Sequence, residues 1–162
     1  MEENKLSQEE QKATIMINDL YKSYGDKDVL TGLNLEVYEK ELFGFIGRNG
    51  IGKSTTIDCM IGSKKFSKGE VYISGFDIKK YPLQAKQTFG YVASEPTCYE
   101  EMTGYDYLEF IASIYGLGEE DFNHNYKYLC TRLQFNLEEL SNPISDYSHG
   151  MKQKLVIISA LI

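Results

Sequence analysis

The residues Gly47-Arg48-Asn49-Gly50-Ile51-Gly52-Lys53-Ser54-Thr55 follow directly on an apolar run, Leu42-Phe43-Gly44-Phe45-Ile46. An apolar run ending in G-x-x-x-x-G-K-S admits few folds: a buried strand enters a glycine-rich loop, and the loop opens a helix. Glycines at 47, 50 and 52 let the backbone turn so that successive N–H groups face one anion. Lys53 adds a point charge where β- and γ-phosphates would sit, and the Ser54 hydroxyl is placed to ligate Mg²⁺. The pattern predicts a buried strand over 42–46, a helix from about 53, and a bound nucleoside triphosphate. Gly47, Arg48, Asn49, Gly50, Ile51, Gly52, Lys53, Ser54 and Thr55 are the candidate phosphate-binding residues, with Ser54 the candidate metal ligand.

Composition narrows the class. With 162 residues, 42% hydrophobic and 25% charged, the chain has the make-up of an ordinary globule with a sizeable core. No segment is apolar for long enough to span a bilayer, and Met1-Glu2-Glu3-Asn4-Lys5 lacks the regions of a signal peptide, so a cytoplasmic location is expected. Cys59, Cys98 and Cys130 are widely spaced and read as reduced small hydrophobes. A net charge of −7 without a basic stripe argues against nucleic acid as partner.

Periodicity divides the chain. The first dozen residues form a polar leader, and order is expected from Ala13. Leu33, Leu35 and Val37 alternate with polar residues, and Thr14 to Leu20 does so less cleanly, predicting an antiparallel sheet beside the nucleotide core. Ile57, Met60 and Ile61 give the post-loop helix an apolar face, with Gly62 as its end cap. Gly69 through Gly75 predicts a brief strand, and Phe89-Gly90-Tyr91-Val92 another, stopped by Pro96. From Ser94 the pattern is helical. Thr103 and Asp106 form a capping-box-like pair, Gly116 ends that helix, and Phe122, Tyr126, Leu129, Cys130 and Leu133 mark a second one. The reading is an α/β nucleotide-binding core over 13–93, a helical lobe over 94–147, and a last segment, 148–162, that starts another helix.

That last segment begins at Tyr147-Ser148-His149-Gly150-Met151-Lys152-Gln153-Lys154-Leu155, where Ser148 can cap a helix starting at His149 and present an anion site. Here the chain resembles the ATP-binding cassette (ABC) family, whose signature is typically L-S-G-G-Q followed by a basic helix. Tyr21-Lys22-Ser23-Tyr24-Gly25, Gly69 through Gly75, and Gly90-Tyr91-Val92-Ala93-Ser94-Glu95-Pro96 carry the same resemblance, in the family's order. It implies a P-loop NTPase (RecA-like) core with an antiparallel β subdomain and an inserted α-helical subdomain. It further implies an ATP-binding subunit of a transporter that binds ATP with Mg²⁺ and couples hydrolysis to a separate transmembrane permease subunit. Such a subunit works at the inner face of the cell membrane. Ser148, His149, Gly150 and Met151 would meet the ATP held by a second ATP-binding subunit in a dimer, and the Tyr-Ser-His-Gly-Met variant resembles export systems for drugs, antibiotics or peptides.

The resemblance also assigns Tyr24 to stack on adenine, through a π-face that tolerates any base. Tyr99, Glu100, Glu101 and Met102 fall where the family docks its membrane partner. Departures are as telling: His149 and Met151 replace the usual Gly and Gln, Lys40 a usual Gly, and the glutamine that touches Mg²⁺ and water aligns with Ser94, leaving Glu95 as a substitute. His124 is read as a surface residue. Two alternatives stay open, a nucleotide-binding module without turnover and a soluble cassette ATPase acting on ribosomes or DNA. The family places its acidic strand beyond the signature helix, while this sequence stops at Leu155 to Ile162. The expectation is therefore a fragment, poorly soluble, that hydrolyses little ATP alone.

Overall fold

A computed structural model describes residues 12–162, so the polar leader lies almost wholly outside the described residues. The chain divides into two units, the first running to Phe89 and the second from Gly90 to Ile162.

The first unit is built on an antiparallel sheet of order β2-β1-β3-β4, from β1 (Ala13–Tyr24), β2 (Lys27–Tyr38), β3 (Lys68–Ile73) and β4 (Phe76–Asp77). The alternation in sequence becomes alternation of faces: Ile17, Leu20, Leu30, Val37, Val71 and Ile73 are buried, and Asp19, Asn34 and Glu36 are exposed. The β1–β2 and β1–β3 registers both shift beyond Ile17, where Asp19 takes a φ of 46°. Gly69 makes the room this bulge needs, since a Cβ there would lie 2.4 Å from the Asp19 carbonyl oxygen. Lys40 sits at φ 65°, a left-handed conformation that glycine adopts more easily. Helix α1 (Lys53–Met60) covers the sheet, and α2 (Pro82–Lys86) follows it. The most buried face of α1 is that of Thr56 and Cys59, with the expected Ile57, Met60 and Ile61 only partly buried. Gly62 follows the helix end with φ 73°, its N–H donating to the Cys59 carbonyl.

Two predicted strands do not form. Leu42 to Ile46 takes no regular structure, and Leu42 and Ile46 are 101% and 95% exposed. Phe89 to Val92 is likewise irregular. Apolar composition supplies a strand's side chains, but the strand exists only through hydrogen bonds to neighbours, and among the described residues neither run has one.

The second unit comprises α3 (Gly104–Ile114), α4 (Glu119–Arg132), two 3₁₀ turns (Leu137–Ser141 and Ile144–Asp146) and α5 (His149–Leu161). Thr103 caps α3 by accepting from the Asp106 N–H at 3.1 Å, and Gly116, at φ 69°, follows that helix. Tyr105, Phe122 and Tyr126 meet edge-on or tilted, with centroids 5.0 to 5.7 Å apart. Around them Leu108, Cys130, Ile144, Leu155 and Ile158 are fully buried, each contributing about 1.5–3 kcal/mol if aliphatic and large. Burial pushes the Cys130 thiol up to about 11 and the Tyr147 hydroxyl up to about 12. Tyr147 donates its proton to the Glu139 carbonyl at 2.5 Å. His124 is exposed, as read from the sequence.

Candidate functional site

Gly52 makes the phosphate loop possible. It adopts φ 106°, and a Cβ there would lie 2.9 Å from Leu30 Cδ2 and 3.2 Å from the Val29 carbonyl oxygen. The left-handed turn at Gly52 ends the loop and starts α1 with no side-chain cap and no acidic residue in its first turn. The first N–H groups of a helix have no intrahelical acceptors, so this end, left without a side-chain acceptor, favours an external anion. Thr56, by contrast, is turned inward, its hydroxyl donating to the Gly52 carbonyl at 2.9 Å.

Val29, Asn49, Gly50, Gly52, Lys53, Ser54 and Thr55 line a cavity of about 430 Å³ at this helix start. Lys53 folds back over the loop, its Nζ donating to the carbonyls of Gly47 at 2.5 Å and Arg48 at 2.9 Å. One ammonium group thus closes the loop and carries positive charge beside the helix end. Lining hydroxyls, a lysine and an uncapped helix start form a donor set that suits a triphosphate, and the hydroxyl of Ser54 suits a hard cation such as Mg²⁺. Of the nine predicted phosphate residues, Asn49, Gly50, Gly52, Lys53, Ser54 and Thr55 line this cavity, Gly47 and Arg48 reach it only as acceptors of the Lys53 ammonium, and Ile51 does not line it. The structure adds Val29, which sequence reasoning missed; its only signal is its place on β2, opposite the loop in space and distant in sequence.

Tyr24 stands at the end of β1, paired with Lys27 and 44% exposed. It does not line the phosphate cavity. The Lys22 Nζ lies 4.6 Å from its ring centroid. An exposed cation–π contact contributes about 0.5–1 kcal/mol, whereas a base stacked on an aromatic ring contributes about 1–3 kcal/mol.

The remaining predicted residues belong to the second unit. Ser148 caps α5, its Oγ accepting from the Met151 N–H at 3.2 Å. The hydroxyl keeps its own proton to donate. Ser148, His149 and Gly150 are exposed, and Ser148, Gly150 and Met151 border a cavity of about 370 Å³ with Glu139 and Lys154. Lys154 Nζ donates to the Gln134 carbonyl at 3.1 Å, and Lys152 pairs with Glu100. Ser94 and Glu95 lie exposed in a bend. No helix among the described residues is long and apolar enough to cross a membrane.

Comparison with known proteins agrees with this geometry. The family model for the ABC transporter matches residues 30–162. The chain is 35% identical to the uncharacterized ABC transporter ATP-binding protein YthP of Bacillus subtilis, over 84% of this chain and 52% of that one. It is 30% identical to the linearmycin resistance ATP-binding protein LnrL of the same organism, over 91% and 47%. A solved structure of an ATP-binding subunit of an ABC transporter superposes with a TM-score of 0.84 at 32% identity, covering 91% of this chain and 61% of that one. The chain thus spans about half the length of the curated relatives it matches. Its fold is that of an α/β P-loop NTPase, and the chain belongs to the ABC transporter ATP-binding family.

Proposed function

We propose that this chain is the nucleotide-binding part of an ABC transporter subunit that holds ATP with Mg²⁺ and, in the whole protein, couples hydrolysis to transport by a separate membrane permease. The observation that carries the reading is the uncapped start of α1, with Lys53, Ser54 and Thr55 around one cavity. Gly47 through Gly52 shape the loop, Lys53 neutralises phosphate charge, and Thr55 lines the same cradle. Ser54 holds the metal, and a bound Mg²⁺ supplies charge neutralisation of the phosphate oxygens. Tyr24 carries the base. Ser148, His149, Gly150 and Met151 face the nucleotide of a second ATP-binding subunit, with the Ser148 proton and the Gly150 N–H as donors. Localisation at the inner face of the cell membrane then comes through the permease. That LnrL is a linearmycin resistance protein supports an export role for antibiotics or drugs.

A second reading, a nucleotide-binding module without turnover, is favoured by Ser94, which the family resemblance aligns with a glutamine. A serine hydroxyl reaches metal or water less far than an amide, and Glu95 beside it is exposed and able to take that place. Steady-state phosphate release from the whole protein and its Ser94→Gln variant separates the two, since a module without turnover releases none in the wild type.

Titration of a fluorescent ATP analogue tests the site itself. Lys53→Ala is expected to weaken binding about tenfold to a hundredfold, the loss of one charge-assisted contact. The fold should survive, because Lys53 fills no core position. Unchanged affinity in a folded variant would remove the assignment.

A further inference from the structure

A second network grips α1 at its far end. Asp58 lies in the last turn of that helix, and its carboxylate holds the Lys64 ammonium at 2.8 Å. The chain between them is folded tightly back. The N–H groups of Ser63 and Lys64 donate to the Asp58 carbonyl at 2.9 and 3.0 Å, and the Ser63 hydroxyl donates to the same oxygen at 3.2 Å. Lys64 is thereby fixed to the helix through both its backbone and its side chain. From there its Nζ reaches the Tyr24 ring, 5.7 Å from the centroid. Hydrogen bonding to Asp58 first, and to Tyr24 second, raises the Lys64 pKa above its ordinary value.

Tyr24 needs such support. It ends a strand beside a turn, is 44% exposed, and has no cover from the hydrophobic cluster of the sheet. Its other cationic neighbour is the Lys22 ammonium, 4.6 Å from the centroid, and a base that stacks on the ring must find it ordered. A cation anchored elsewhere and resting near the ring removes part of the cost of ordering it.

We propose that Lys64, anchored on α1 through Asp58, is a positioning residue for the base of a bound purine nucleoside triphosphate: it sets the Tyr24 ring, so that one helix fixes the phosphate cradle at its start and the base platform at its end. The proposal rests on the reading of Tyr24 as the stacking surface.

The test is displacement of a fluorescent ATP analogue from the 162-residue chain by two Mg²⁺-loaded ligands, ATP and inorganic tripolyphosphate, which shares the phosphates and lacks the base. Lys64→Met and Asp58→Asn are each expected to weaken ATP about threefold to fivefold. Tripolyphosphate should be held as in the wild type, which also reports that the cradle is folded. Lys64→Arg should restore most of the loss, and in a Tyr24→Ala background Lys64→Met should add nothing. Equal weakening of both ligands, a further loss in the Tyr24→Ala background, or no loss in Lys64→Met overturns the relay. Tyr24→Ala alone leaving the ratio of ATP to tripolyphosphate affinity unchanged sinks the stacking reading itself, and the proposal with it.

Discussion

Helices α1 and α5 both begin at an exposed turn and both were read from sequence as anion sites, yet they are finished differently. At α1 the residue before the helix is a glycine in the left-handed region, and no side chain caps the first turn. At α5 that place is taken by Ser148, which has already accepted the Met151 N–H. The first helix leaves its donors to an incoming anion. The second satisfies one donor internally and keeps a single hydroxyl proton and the Gly150 N–H for use. On the proposed reading, one copy of the chain takes phosphate at α1, and the α5 start meets the nucleotide of a second ATP-binding subunit.

The comparison can be broken at several points. The largest expected effect is Gly52→Ala, which combines an unfavourable φ with contacts to Leu30 and Val29 and should destabilise the first unit by about 3 kcal/mol. Gly50→Ala, at φ 79° with nothing within 4 Å, should cost only about 1 kcal/mol. Thermal melting of both variants checks the contrast, and equal losses would mean that packing against β2 does not shape the loop. Next comes Tyr24→Ala, expected to weaken a fluorescent ATP analogue by about 1–3 kcal/mol. ATP and GTP should compete in unchanged proportion, because a π-face is indifferent to the base.

Ser148→Ala removes a cap and should lower the stability of the second unit by about 1 kcal/mol. Nucleotide affinity measured on a single copy should not move. If it does, the two helix starts are not independent. The smallest effect is pH dependence. Burial would raise the Asp77 pKa, but the N–H groups of Lys79 and Lys80 and the Lys80 ammonium outweigh it, so it is lowered from 3.8. A depressed carboxylate stabilises the fold above its unfolded value and loses that contribution as pH falls through the folded one. Acid melting below about pH 3.8 should therefore be steeper for the first unit than in its Asp77→Asn variant, and identical slopes would contradict this.

Local chemistry was legible in the sequence, and pairing only where alternation marked two neighbouring strands, as in the antiparallel β1–β2 pair. The glycines of the loop, the Thr103–Asp106 cap, the Ser148 cap and the alternation of Leu33, Leu35 and Val37 each express a rule that acts within a few residues, and the structure holds all of them. Leu42 to Ile46 fails because a buried strand is a property of two segments. Its apolar residues say that it wants cover without saying what pairs with it. The same limit explains Phe89 to Val92. On α1, Ile57 and Met60 look like the inner face by hydropathy, yet the helix turns small Thr56 and Cys59 to the interior, where Cys59 packs in the same cluster as Val71 and Ile73. Val29 escaped notice because nothing in a strand's alternation marks the residue that a distant loop will approach.

The central claim, that α1 and not α5 receives the phosphates in a single copy of this chain, is tested most directly by amide NMR shifts during titration with ATP and Mg²⁺. The account predicts large saturable shifts of the Gly50, Gly52, Lys53 and Ser54 amides and none at His149, Gly150 and Met151. Shifts at the α5 residues at dilute protein concentration, or a phosphate loop that stays silent while nucleotide binds, would contradict it.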